Sequence, residues 1–332
     1  MTDDNSVAGG QQNNSYGAAL TQDSIDVYWC IYKNLEKEVV GLTDVIHFTD
    51  DQKQVFSIRI AELIIRTHAE IECLCKDLFA TLGVSCNKPI LYLDGDCIAE
   101  FEKRWGVESK VVKIIHPFIR FSDKELCPFR NATVRTARTN NPNSWKLANN
   151  EVKHNLRNRL SSATIEALIN AMAALYLLNV YSRNISKVIK VCNRDAAQNF
   201  DETFGSTLFA VKVQKILDAK SIGADKVVLN DFVYCPECTF RIDPTESSLQ
   251  RIHLLMKSIA GEARAYVEPV VKKMIQTGEL KLPPTSGQLD ETAISQISLK
   301  ANMISMNKHA QEFGNAIASI SYEAKLTEKP TV

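Results

Sequence analysis

Bulk charge of either sign is missing from this chain. Thirty-nine Lys and Arg meet 39 Asp and Glu, so 332 residues carry a formal net charge of zero. That excludes a protein that coats nucleic acid through overall charge. There is no P-loop, no Gly-rich dinucleotide turn, no H-E-x-x-H and no G-x-S-x-G. Phosphate-cradling NTPase, Rossmann dehydrogenase, zincin and α/β-hydrolase chemistry are therefore not expected, and neither is a cofactor. The first twenty residues are polar and rich in Gly, Asn and Gln, with no charged start leading into an apolar run. A secretory leader is not expected. The nine cysteines are odd in number and keep no disulfide-like rhythm, which fits reduced thiols in a cytoplasm. The most apolar stretch, Ala163–Val180, contains Glu166 and Asn170 and is flanked by Arg159 and Arg183. A membrane span wants about 20 apolar residues, so the stretch is expected to be a core helix, with no membrane partner.

Hydrophobic periodicity of 3.6 marks most of the chain as helical. Helices are expected over Ser24–Val40 and Ser57–Leu82. In the second, Ile64, His68, Ile71, Cys75, Leu78 and Leu82 make one apolar stripe, and Gly83 closes the helix. Pro89, Pro117, Pro128 and Pro142 interrupt the segment from Cys86 to Asn141 and its far edge, leaving a short helix at Ile98–Trp105 and an extended piece at Val111–Ile115. A helix from Trp145, capped by Asn143 or Ser144, runs into an apolar helix over Ser162–Tyr181. Beyond Asn193 the pattern changes to short extended runs at Ser206–Ile216, Lys226–Phe232 and Tyr234–Ile242. A helix over Glu246–Met274, kinked or broken by Pro269, and a last helix over Leu289–Ser321 are expected towards the C-terminus. The fold class expected is mainly α: a helical domain over 23–190 and a smaller α+β region over 191–322. Tails are expected at 1–22 and 323–332.

The chemistry concentrates between Leu126 and Leu160. Seven basic residues, Arg130, Arg135, Arg138, Lys146, Lys153, Arg157 and Arg159, face a single acid, Glu151. On a continuous helix Asn150, Lys153, His154 and Arg157 fall at i, i+3, i+4 and i+7, on one stripe. Trp145, Ala148, Val152 and Leu156 fall on another, expected to be the packing side. Metal-independent RNA cleavage needs a proton carrier and fixed cations around the phosphate. An imidazole titrates near neutrality, so His154 is the candidate acid/base. Lys153 and Arg157 would hold phosphate, Asn150 would orient the groups, and Arg130, Arg135 and Arg138 would add binding charge. The plainer alternative is a solvated helix face.

The run carrying Trp145, Asn150, Val152, Lys153, His154, Ala163 and Ile165 resembles the YN-x-V-K-H-x-R segment of a bacterial family that looks HEPN-like. Phe56, Ser57, Leu63, Glu70 and Lys76 are similar to that family's second helix. The resemblance spans roughly residues 25–185. It implies a HEPN-like bundle that handles RNA or nucleotide phosphates, a ribonuclease effector in a toxin or phage-defence setting, and a homodimer. Glu70 and Lys76 become site candidates on the same ground. Nothing selects DNA. Two positions depart from the pattern: Asn149 replaces the family's Tyr, and Leu156 stands where its Arg would be, with Arg157 one place later. The R-x(4–6)-H spacing of HEPN ribonucleases is also missing before His154. These departures favour the alternative, a non-catalytic helical interaction or dimerisation module. Whether the chain is an enzyme stays open; if it is, it is expected to be a metal-independent endoribonuclease. Cys235-Pro-Glu-Cys238 resembles one knuckle of a zinc ribbon, but zinc needs two further ligands and no second C-x-x-C exists. The plainer reading is two thiols in a turn.

Overall fold

A computed structural model describes residues 20–84, 90–132, 144–184, 189–191, 193–217, 219–222, 226–229, 234–278 and 291–330. The fold is mainly α with small sheets. Helix α1 (Gln22–Leu42) starts at a capping box in which Thr21 and Ser24 satisfy each other's backbone. Strand β1 (Phe48–Thr49) comes after it. Helix α2 (Ile58–Thr81) is capped by Ser57, whose hydroxyl accepts from the Ile60 amide. Gly83, at φ +67°, turns the chain away beyond its end. A π-helical turn over Leu93–Ile98 leads into α3 (Ala99–Trp105). Strands β2 (Val112–Ile114), β3 (Ile119–Arg120) and β4 (Glu125–Leu126) come next.

Helices α4 (Ser144–Arg159) and α5 (Ile165–Asn184) complete the bundle. Helix α5 is its centre and packs against α1, α2 and α4. Its apolar stretch Ile165–Arg183 is long enough to cross a membrane, but 89% of it is buried within the protein. Leu168, Met172, Leu175, Tyr176 and Leu178 are inaccessible or nearly so. A helix apolar on all sides needs neighbours on all sides, and here other helices supply them.

The remaining elements are β5 (Ile189–Val191), α6 (Arg194–Gln198), β6 (Phe209–Val211), β7 (Val213–Lys215), β8 (Ala219–Ile222), β9 (Lys226–Leu229), β10 (Phe240–Pro244), α7 (Glu246–Gln276), α8 (Glu291–Lys308), α9 (Ala310–Ala318) and β11 (Tyr322–Leu326). A four-stranded sheet has the order β5-β11-β10-β7, a three-stranded one β4-β2-β6, and β8 pairs with β9. Helix α7 packs on α8 and α9.

Several expectations change. The extended run at Ser206–Ile216 is two strands in two different sheets, because Lys212 marks the change of partner from β2 to β10. The first part of the expected tail, up to Leu326, belongs instead to β11, the inner strand that pairs antiparallel with both β5 and β10. The last helix stops correspondingly early, in two pieces, at Ala318. Helix α7 continues through Pro269, where neighbouring residues are exposed and water can serve a freed carbonyl. Strands from either side of residue 190 share the β4-β2-β6 sheet, so the two expected regions are joined by backbone hydrogen bonds.

A buried carboxylate reinforces that joint. Glu36 of α1 is 1% exposed. One of its oxygens accepts from the hydroxyls of Tyr32 (3.0 Å) and Ser206 (2.5 Å) and from the amides of Thr207 (2.9 Å) and Leu208 (3.1 Å). The Lys33 ammonium pairs with the other oxygen. Burial alone would push this carboxyl's pKa up, but the donors and the Lys33 charge outweigh it and hold it below its usual value.

Candidate functional site

Helix α4 docks on α2 and α5 through its Trp face. Trp145, Ala148 and Val152 are buried, and the Trp145 indole donates to the Pro128 carbonyl at 2.9 Å. The stripe then ends. Asn155 has φ −153° and ψ 58°, outside the helical region, so the helix is interrupted there. Leu156, expected on the packing side, is 40% exposed. Arg157 lies beyond the break and does not continue the stripe of Asn150, Lys153 and His154. The i+7 relation holds only on a straight helix, and this helix is not straight.

Asn150, Lys153, His154, Arg157 and Arg159 are all exposed. Glu151, the single acid of this helix, receives a hydrogen bond from the Ser162 hydroxyl. Among the described residues no carboxylate is ion-paired with Lys153, Arg157 or Arg159. Arg157 and Arg159 occupy the last turn, where helix carbonyls favour cations.

The seam between α2 and α4 holds a second group of side chains. His68 of α2 is buried, and its ring lies 5.6 Å from the Trp145 ring, centroid to centroid. Its Nδ1 is 3.8 Å from Glu72 Oε1, an electrostatic contact longer than a hydrogen bond. Burial pulls the His68 pKa down to about 4. Glu72 opposes this shift and the Lys146 and Lys153 ammonium groups reinforce it. His68 is therefore a neutral imidazole near physiological pH. Lys146 is itself buried, is pulled down to about 8 by burial, and pairs with Asp94 of the π-helical turn. The Cys75 thiol lies within range of Lys146, and burial pushes its pKa far up, leaving it protonated. The seam thus has a floor of neutral His68, Cys75 and paired Lys146. Glu72, Asp94 and Lys153 line its more open rim.

The other expected site residues separate. Glu70 faces the α1 side of α2, within range of Tyr28 and Cys73, and burial raises its carboxyl pKa. It is not brought to the seam. Lys76 is half-buried, one turn beyond Glu72. Arg130 lines a cleft of about 540 Å³ with Glu108, Asp123, Glu125 and Glu237. Four carboxylates make that cleft a poor host for phosphate. Arg135 and Arg138 lie outside the described residues. No group of three or more metal-ligating side chains exists among the described residues, so Cys235 and Cys238 have no third ligand there.

In the sequence His68 reads as one member of an apolar stripe and Lys146 as one of seven basic residues, so neither stands out as a site member. The signal was the i, i+7 spacing of Lys146 and Lys153, which places both on the edge facing α2.

Compared with known proteins, the chain matches no family model, no characterised protein and no solved structure.

Proposed function

We propose that this protein is a cytoplasmic, HEPN-like helical protein that binds RNA or nucleotide phosphates along the exposed edge of α4. The observation that carries the reading is the run Lys153, His154, Arg157 and Arg159, exposed within seven residues and wrapped around the break at Asn155. The only acid of the helix is occupied by Ser162. Cations set on two helical segments can contact phosphates along a bent path better than cations on one straight line. Binding is favoured over catalysis. His154 is solvent-exposed, and no described contact supplies the second proton carrier that cleavage needs. The ribonuclease effector of a toxin or phage-defence system is the stronger form of the same proposal.

The test is fluorescence anisotropy with a short single-stranded RNA at several salt concentrations. Lys153→Ala/Arg157→Ala should weaken binding about tenfold or more. It should also flatten the salt dependence, by roughly 0.7 in log–log slope for each lost phosphate contact. Wild-type and double-mutant curves that coincide, or no binding at all, defeat the proposal. Total RNA incubated without metal, beside His154→Ala, separates binding from cleavage.

The second reading is a homodimer or partner-binding module. Its support is that Leu147 and Leu156, 41% and 40% exposed, lie on the same helix as the basic run. A molar mass that rises to twice the monomer with concentration, and returns to the monomer in Leu156→Asp, supports this reading.

A further inference from the structure

Outside the helical site, one pair of nucleophilic side chains is held close together. Cys235 and Cys238 flank Pro236–Glu237 in the turn before β10, and their sulfurs are 3.0 Å apart. Cys235 is half-buried and Cys238 is buried. The Cys238 thiol donates to the Cys235 sulfur. Lys110, with no exposed surface, lies beneath. Its ammonium donates to the Cys238 carbonyl at 2.8 Å and to the Thr327 hydroxyl at 3.1 Å, and it is within electrostatic range of both sulfurs. Of the two sulfurs, Cys235 is the one a small reagent can reach, and Cys238 lies within contact of it. The buried Cys238 thiol, pushed up to about 12 by burial and by its bond to Cys235, is held in reserve.

We propose that Cys235 and Cys238 are a reversible dithiol–disulfide site, oxidised by exchange with a low-molecular-weight disulfide. Cys235 loses its proton and its sulfur attacks one sulfur of the small disulfide, whose S–S bond breaks and releases one thiolate. Cys238 then loses its proton and attacks Cys235 Sγ, forming the protein S–S bond and releasing the second small thiolate. The protein pair gives up two electrons and two protons; the small disulfide becomes two thiols. The sulfurs need approach by only about 1 Å to reach bonding distance.

The surroundings make the turn a joint. The Val111 amide donates to the Glu237 carbonyl at 3.0 Å, and the Thr327 amide to the Thr239 carbonyl at 3.0 Å. Oxidation would act where the segment leading into β2 meets the end of β11.

The experiment is mass spectrometry of the full-length protein, equilibrated with oxidised and reduced glutathione at graded ratios. The expected product is an intramolecular Cys235–Cys238 link, two hydrogens lighter and reversed by excess reduced glutathione. In Cys238→Ser, a glutathione adduct should persist on Cys235. In Cys235→Ser, Cys238 should stay unmodified while exposed Cys30 and Cys73 are modified as in the wild type. The proposal is overturned if the link does not form while Cys30 and Cys73 do react. It is also overturned if Cys238 is modified first, or if the purified protein holds zinc on these thiols and ignores glutathione.

Discussion

His68 couples the stability of the bundle to acid. Its pKa falls from 6.5 to about 4 on folding. Between those values the unfolded chain binds a proton that the folded chain does not, so stability is full above about pH 6.5 and declines as the pH drops towards 4. One group with this shift accounts for up to about 3 kcal/mol across that window. Chemical denaturation at pH 7 and pH 4.5 should show the decline, and His68→Phe, which keeps a ring against Trp145, should flatten it by one proton. Glu36 behaves in the opposite structural sense, because its carboxylate is wanted in charged form. Glu36→Ala strands the Thr207 amide and leaves the Leu208 amide only Ser206 Oγ and the Lys33 ammonium only the Gly205 carbonyl. It should cost about 3–5 kcal/mol in urea denaturation. Glu36 looks like any helix acid in the sequence. Tyr32 and Lys33 are its neighbours on α1, but Ser206, Thr207 and Leu208 lie about 170 residues away and no local pattern announces them.

At the scale of elements, the helices were legible and the small strands only in part: β2, β6, β7 and β9 fall inside runs expected to be extended, whereas β1, β3, β4, β5, β8 and β11 do not. The 3.6-residue periodicity placed α1, α2, α4 and α5 to within a few residues, because each buries a face that its sequence spells out. Two-residue strands such as β1, β3 and β4 carry too few alternations to register, and β11 comes after a Ser- and Asn-rich helix without a break that Gly or Pro would mark. The candidate site was half visible. Lys153 and His154 were found with the right exposure, but the interruption at Asn155 left no trace in a run free of Pro and Gly. The seam with His68 and Lys146 exists only when α2 and α4 are docked. That docking depends on Trp145. Trp145→Ala should cost about 3–5 kcal/mol in thermal or urea unfolding, and should raise the His68 pKa as the ring gains water.

At the scale of the whole molecule, the bundle and the C-terminal sheet share their supports. Strand β6 pairs with β2, Glu36 grips the turn before β6, and Lys110 reaches Thr327. A truncation after Ser321 removes the strand between β5 and β10 and uncovers two edges that would accept strands from other chains. Such a truncated protein should aggregate on expression, read as loss from the soluble fraction, while the intact chain stays there. Because β5, β7 and β10 all precede β11 in the chain, a ribosome delivers the keystone of their sheet after every other member. Translation at roughly 5–20 residues per second then leaves the earlier strands waiting for seconds, during which a holding chaperone has unmatched edges to grip.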